Sequence, residues 1–168
     1  MTPNLEFVRR KVAFHHWAGD KTMDAIANLS AQQLDAQWGG SFGTGRALFD
    51  HILGAERIWC DRLMGKPTGK LPGFPATHSG ADLRGEWHKI RDDQRKFVDQ
   101  LADGSYKKPF TWTNTKGEVT TAPMSEVFEH IVNHGTYHRG QATQLLRDRG
   151  LAAPGTDYLV YMKQNPIP

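Results

Sequence analysis

The chain of 168 residues contains a single cysteine, Cys60. One cysteine cannot form a disulfide within the chain, and it excludes zinc sites that are built from several thiolates. Long apolar runs are missing too: charges interrupt residues 1–23 every few positions, so this stretch resembles neither a signal peptide nor a membrane span. From these absences we expect a cytoplasmic protein with no membrane partner.

The chain also has little excess of charge of either sign. Lysine and arginine together number 21, against 18 aspartate and glutamate residues, and the basic residues are scattered beside acidic ones. Such a small, dispersed surplus is a weak footprint for nucleic acid, so we expect no nucleic-acid partner. Hydrophobic residues make up 38% of the chain, with five Trp and eight Phe, which is enough for the core of one domain spanning residues 1–168.

The common catalytic signatures are missing as well. The chain has no P-loop ending in GK[ST] and no HExxH zinc motif, and the letters GGSFG at 39–43 match GxSxG without the preceding strand that a nucleophile elbow needs. The glycine-rich segment GGSFGTG at 39–45 follows no predicted strand, so it is interpreted as a loop between helices rather than as a phosphate-binding loop.

Four stretches repeat apolar residues with the 3.6-residue period of an amphipathic helix. They are residues 4–29, 44–64, 80–102 and 124–149. Thr44 is a suitable N-cap for the second helix, and Gly65 and Gly150 are suitable stops for the second and fourth. Burying four apolar stripes together predicts an all-α four-helix bundle.

The connections between these helices differ in kind. Residues 65–80 are so rich in glycine and proline that we expect a long irregular connection. The segment KPFTWTNTKGEVTT alternates and is rich in β-branched residues on either side of Asn114 to Gly117. This pattern predicts a small β-hairpin before the last long helix.

The segment EHIVNHGTYHRGQ places His130, His134 and His138 four residues apart on the fourth helix. Residues at this spacing differ by about 40° in direction and about 6 Å in height, so one ion can bind an adjacent pair but not all three. On a helical wheel His134 and His138 lie about 20° from the centre of the apolar face, and His130 about 60° from it. The pair therefore points into the bundle, either as metal ligands or as core histidines hydrogen-bonded to neighbours.

A third ligand has to come from another helix. His51 lies on the apolar face of the second helix, and we expect that helix's other polar residues, including Glu56, to lie largely off this face. His16 on the first helix is the competing candidate, and its alternative role is packing at the rim of the bundle. His88 is expected to face water, and His78 falls in the glycine- and proline-rich connection.

Several segments carry a resemblance that covers nearly the whole chain. FDHILGAERIW around His51, NHGTYHRGQ around His134 and His138, and the late GTDYLVYM are similar to the DinB family of damage-inducible proteins. The resemblance implies a four-helix bundle that holds a divalent metal, zinc or nickel, through His51, His134 and His138. It places His130 beside the ligands rather than on the ion, and it implies a homodimer.

The same resemblance suggests two kinds of function. Relatives in the superfamily are thiol-dependent transferases or isomerases that use low-molecular-weight thiols such as bacillithiol or mycothiol. We therefore expect a metal-dependent enzyme, a transferase or hydrolase, acting on a small electrophile. The alternative is a non-catalytic metal-bound bundle with a structural or stress-response binding role. The sequence leaves the general acid or base open among Glu56, Glu129, Asp157 and Tyr137.

Overall fold

The computed structural model describes residues 4–66 and 68–166. Within them the chain forms six α-helices, a short 3-10 turn and one β-hairpin. In chain order these are α1 (Leu5–Ile26), α2 (Ala31–Asp35), α3 (Gly45–Leu63), α4 (Gly80–Asp99), the 3-10 turn (Ser105–Lys107), β1 (Pro109–Thr113), β2 (Val119–Pro123), α5 (Met124–Asp148) and α6 (Tyr158–Gln164).

Local side-chain chemistry sets where the long helices begin and end. Thr44 caps α3 by accepting from the backbone N–H of Ala47 at 3.1 Å, as predicted. Gly65 and Gly150 follow α3 and α5 with φ values of 72° and 68°, a left-handed conformation that glycine adopts without steric cost. The predicted stops of both helices are therefore confirmed.

The four long helices form the predicted bundle. Helices α1 and α3 each pack against both α4 and α5, so every long helix has two long neighbours. The apolar stripes meet in the interior, where Leu48, Phe49, Leu53, Leu83 and Leu146 have no exposed surface. Removing these side chains from water is the main stabilising contribution to the bundle.

Two short helices were not predicted. Helix α2 begins with a capping box in which Ser30 and Gln33 exchange hydrogen bonds with each other's backbone N–H. Helix α6 is capped by Asp157, whose carboxylate accepts from Leu159 N at 2.7 Å. Stretches of five and seven residues are too short to show a helical period, so the spacing of apolar residues did not reveal them.

The hairpin leads straight into the histidine-bearing helix, as predicted. Strands β1 and β2 are antiparallel, with Thr113 opposite Val119, and β2 ends at the residue before α5. The side chain of Trp112 on β1 packs against Trp59 of α3, with ring centroids 5.4 Å apart. Among the described residues, no helix is both long enough and apolar enough to cross a membrane.

Candidate metal centre

The structure brings together the three histidines that the sequence singled out. The Nε2 atom of His51 on α3 lies 3.2 Å from Nε2 of His134 and 3.1 Å from Nε2 of His138, both on α5. One potential ligand atom from each of the three histidines lies within 4.8 Å of the other two. His134 and His138 share a face of α5 because they are four residues apart, and the packing of α3 against α5 brings His51 to them.

The donor set fits a metal ion. Zinc–nitrogen bonds of about 2.0–2.1 Å in a tetrahedral arrangement place the nitrogens about 3.4 Å apart, close to the two separations observed. Each of the converging nitrogens carries either a proton or a lone pair, so among themselves they can at most share one N–H donor between two acceptors, which is a weak arrangement. A cation at their centre would accept all three lone pairs at once.

A hydrogen bond to Gln141 fixes the orientation of the His138 ring. Its Nδ1 lies 2.7 Å from Oε1 of Gln141, and the amide nitrogen of Gln141 donates to Ser41 Oγ at 3.2 Å. Because the amide oxygen can only accept, Nδ1 of His138 carries the proton and Nε2 presents a lone pair to the cluster. Phe42 packs against one side of the histidine cluster, with its ring centroid 5.1 Å from that of His51.

Burial keeps the rings of His51 and His134 in the neutral form that binds metals. Burial, reinforced by the positive charge that His138 would carry, lowers the pKa of His134 to about 4, although Glu56 opposes the shift. Burial and His138 also lower the pKa of His51. At neutral pH both rings are therefore deprotonated, and their lone pairs are free.

Two other histidines considered as ligands do not join the cluster. His130 is exposed and lies outside the cluster: its ring centroid is 5.9 Å from that of His134 and 5.1 Å from that of Trp59. His16, the competing candidate, is buried in the bundle, where its Nε2 lies 2.9 Å from Oε1 of Gln94. His16 is therefore a hydrogen-bonded core histidine in this structure.

One sequence expectation is wrong. Glu56 does not lie off the buried face of α3, because its side chain is only 2% exposed. Burial raises the pKa of this carboxyl, but attraction to His15 and hydrogen bonding from His15 and Gln94 outweigh burial and lower it to about 2. Helix α3 is flanked by both α4 and α5, so its buried arc is wider than the single apolar stripe used to place Glu56. No pattern within α3 itself signals this burial.

The chain is a four-helix bundle in which three histidines could hold a metal ion. Comparison with known proteins gives the class a name: the DinB family matches residues 2–167, and the chain belongs to this family. Protein DinB of Bacillus subtilis is 44% identical over 162 residues, covering 94% of each chain. The crystal structure of a DinB-like protein from Bacillus cereus has the same fold, with a TM-score of 0.72 and 20% identity, covering 92% of this chain and 99% of that one.

Proposed function

We propose that the protein binds one divalent metal ion, zinc or nickel, through His51, His134 and His138, and that it is a metal-dependent enzyme acting on a small electrophile. The convergence of the three Nε2 atoms carries the proposal. Among the described residues, the group of potential ligands at this point holds three histidines and neither a carboxylate nor a thiolate. Three protein ligands leave a coordination position for a small molecule, as in catalytic rather than structural zinc sites.

A bound zinc or nickel ion would supply Lewis acidity to a substrate or thiol that reaches it. The chain's own residues would hold and screen that position. Gln141 fixes the ring of His138, and Phe42 shields the side of the cluster next to His51. Tyr137 lies on the solvent-exposed side of the histidine cluster: the residue is 66% exposed, and its ring centroid is 5.0 Å from that of His138.

The thiol in such a reaction would have to come from solution. Cys60 is buried, and burial raises its pKa to about 12, so it is neither accessible nor ionised at neutral pH. A low-molecular-weight thiol such as bacillithiol or mycothiol is the cosubstrate we propose. This assignment rests on the family resemblance and on the exclusion of the chain's own thiol.

The position of Tyr137 narrows the choice of acid or base. Glu56 faces His15 and Gln94 inside the bundle, Asp157 caps α6, and Glu129 is exposed and lies 3.9 Å from Lys11. Of the four groups that the sequence left open, Tyr137 remains, and its ring packs against the ring of the proposed ligand His138. We assign its hydroxyl the role of proton donor or acceptor.

Metal content is the first test. The protein, purified without a histidine tag, is expected to carry about one zinc or nickel ion per chain by elemental mass spectrometry. His51→Ala and His134→Ala should abolish binding, whereas His130→Ala, on the same helix as His134, should retain it. Equal loss in all three variants would contradict the ligand assignment.

Activity is the second test. Zinc- or nickel-loaded protein is mixed with small electrophiles and bacillithiol, mycothiol or glutathione, and His138→Ala serves as the blank. Turnover that requires both metal and thiol supports the enzyme. Stoichiometric metal without turnover on any electrophile favours the non-catalytic bundle instead.

A homodimer and a cytoplasmic location remain predictions, and sedimentation analysis tests the first.

A further inference from the structure

The core contains a second polar cluster, separate from the three histidines. It consists of His15 and His16 on α1, Glu56 on α3, Gln94 on α4 and Arg139 on α5, and all five are buried. Each of the four long helices therefore contributes at least one member. Buried polar groups are costly unless they are fully paired, so a cluster of this size calls for an explanation.

Glu56 is at the centre of the cluster. Its Oε1 lies 3.1 Å from Nε2 of His15, and its Oε2 accepts from Nε2 of Gln94 at 2.9 Å. Gln94 in turn accepts from Nε2 of His16 at 2.9 Å, and Arg139 lies 3.2 Å from Nδ1 of His15 on the opposite side of that ring. One carboxylate oxygen thus accepts a hydrogen bond and the other lies at ion-pair distance from an imidazole nitrogen, and both contacts favour the ionised form.

Glu56 is the one carboxylate among the buried residues that the structure describes. It follows the proposed ligand His51 by five positions on α3, about 7.5 Å along the helix axis. Arg139 directly follows the proposed ligand His138 on α5. Gly135, the residue after the proposed ligand His134, packs against the ring that contacts Glu56: a Cβ atom at position 135 would lie 2.7 Å from Nδ1 of His15.

A divalent ion held by three neutral imidazoles brings two positive charges into the bundle with no anionic ligand. Without Glu56, the nearby buried charge would be that of Arg139, which repels a cation. We propose that Glu56 is the charge partner of the metal: a buried carboxylate that does not touch the ion but raises the affinity of the three-histidine site for divalent cations. This proposal rests on the proposed function. Glu56 is accordingly a positioning residue for the ion.

The competing role for Glu56 is purely structural, tying α1, α3 and α4 together. Glu56→Gln separates the two roles because it removes the charge and keeps the shape. Its new amide can donate to Gln94 if the Gln94 amide flips, and His16 can then accept by changing tautomer. The hydrogen-bonded network can therefore re-form without the negative charge.

The experiment compares divalent and monovalent ions. Zinc and cobalt(II) affinities are measured by competition with a chelating dye, and copper(I) affinity is measured anaerobically in the same way. Because the Coulomb energy is proportional to the charge of the ion, a loss of about ten-fold for the divalent ions should accompany a loss of only about three-fold for copper(I). The visible absorption bands of the cobalt(II) form should be unchanged, since the three ligands keep their geometry.

Glu129→Gln is the matched control. Glu129 is on α5, but its side chain is 59% exposed, so removing its charge should leave all three affinities unchanged because of solvent screening. Wild-type protein that binds none of the ions overturns the proposed function itself. Wild-type protein that binds metal while Glu56→Gln binds equally well overturns the charge-partner role alone.

Two further outcomes also decide against the charge-partner role. An equal loss for divalent and monovalent ions, or a shift of the cobalt(II) bands, would show that Glu56 acts by holding the helices in place. If Glu56→Gln does not fold because it leaves Arg139 without a counter-charge, the comparison is made in the Arg139→Gln background. The double variant should then bind divalent ions about ten-fold more weakly than Arg139→Gln, and equal binding refutes the role.

Discussion

Gly135, the residue after the proposed ligand His134, lies where α5 passes closest to the imidazole of His15. A Cβ atom at this position would contact Cε1 of His15 and lie 2.7 Å from its Nδ1 and 2.8 Å from a guanidinium nitrogen of Arg139. Ordinary non-bonded contacts to carbon are about 3.5–4.0 Å, so Gly135→Ala forces the ring to move. The ring has little freedom, because it is 2% exposed and lies between Glu56 and Trp87.

The expected magnitude follows from two opposing effects. Overpacking in a tight core costs about 1–3 kcal/mol, and the shortness of all three contacts places this site at the upper end. Replacing glycine by alanine in the middle of a helix recovers about 1 kcal/mol. We therefore expect Gly135→Ala to lower the free energy of unfolding by about 2 kcal/mol. For a chain of this size the melting temperature should fall by about 4–8 °C.

The assay is thermal and urea unfolding of metal-free protein in the presence of a chelator, followed by circular dichroism. Gly140→Ala is the matched control: Gly140 is on the same helix and exposed, and an added Cβ would meet no neighbouring side chain or loop atom within 4 Å. This control should be more stable than the wild type by up to about 1 kcal/mol. A Gly135→Ala protein that melts at or above the wild-type temperature would refute the argument.

A double substitution identifies the cause. In a His15→Ala background the ring is gone, and the remaining contact is with the end of the flexible Arg139 side chain, which can move away. Gly135→Ala should then no longer destabilise the protein and should show the gain in helix propensity. If the penalty persists in that background, the clash is not with His15 and the explanation is wrong.

Three further predictions concern pH, metal affinity and the thiol. Burial, aided by neighbouring His15, lowers the pKa of His16 from 6.5 to about 4, so the unfolded chain takes up this proton first and the free energy of unfolding should fall by up to about 3 kcal/mol as pH decreases from 6.5 to 4. His16→Gln should make that part of the stability curve less steep, with the share of His134 left in place, and an unchanged slope would contradict the assignment. Gln141→Ala should weaken metal binding about ten-fold by releasing the ring of His138, whereas Gln144→Ala, an exposed residue of the same helix, should have no effect on a metal titration. Cys60 should be unreactive toward a thiol reagent in the native protein and react at once in denaturant, and rapid native labelling would disprove its burial.

The sequence by itself determined the long helices and the pairing of His134 with His138. Both are consequences of the helical period, in which residues four apart share a face whatever the helix packs against. The caps and stops at Thr44, Gly65 and Gly150 are similarly local, since each depends on hydrogen bonds or dihedral angles within a few residues.

Only the tertiary structure decided which helices meet and at what height. The approach of His51 to the pair on α5 depends on how α3 slides and turns against α5, which is set by side chains packed between helices that are far apart in sequence. The burial of Glu56 has the same origin, because its partners His15 and Gln94 come from α1 and α4. A helical wheel drawn for one helix shows a single apolar stripe, whereas a helix with two neighbours buries a wider arc. The burial of a charged residue within that arc can be recognised only in the assembled bundle.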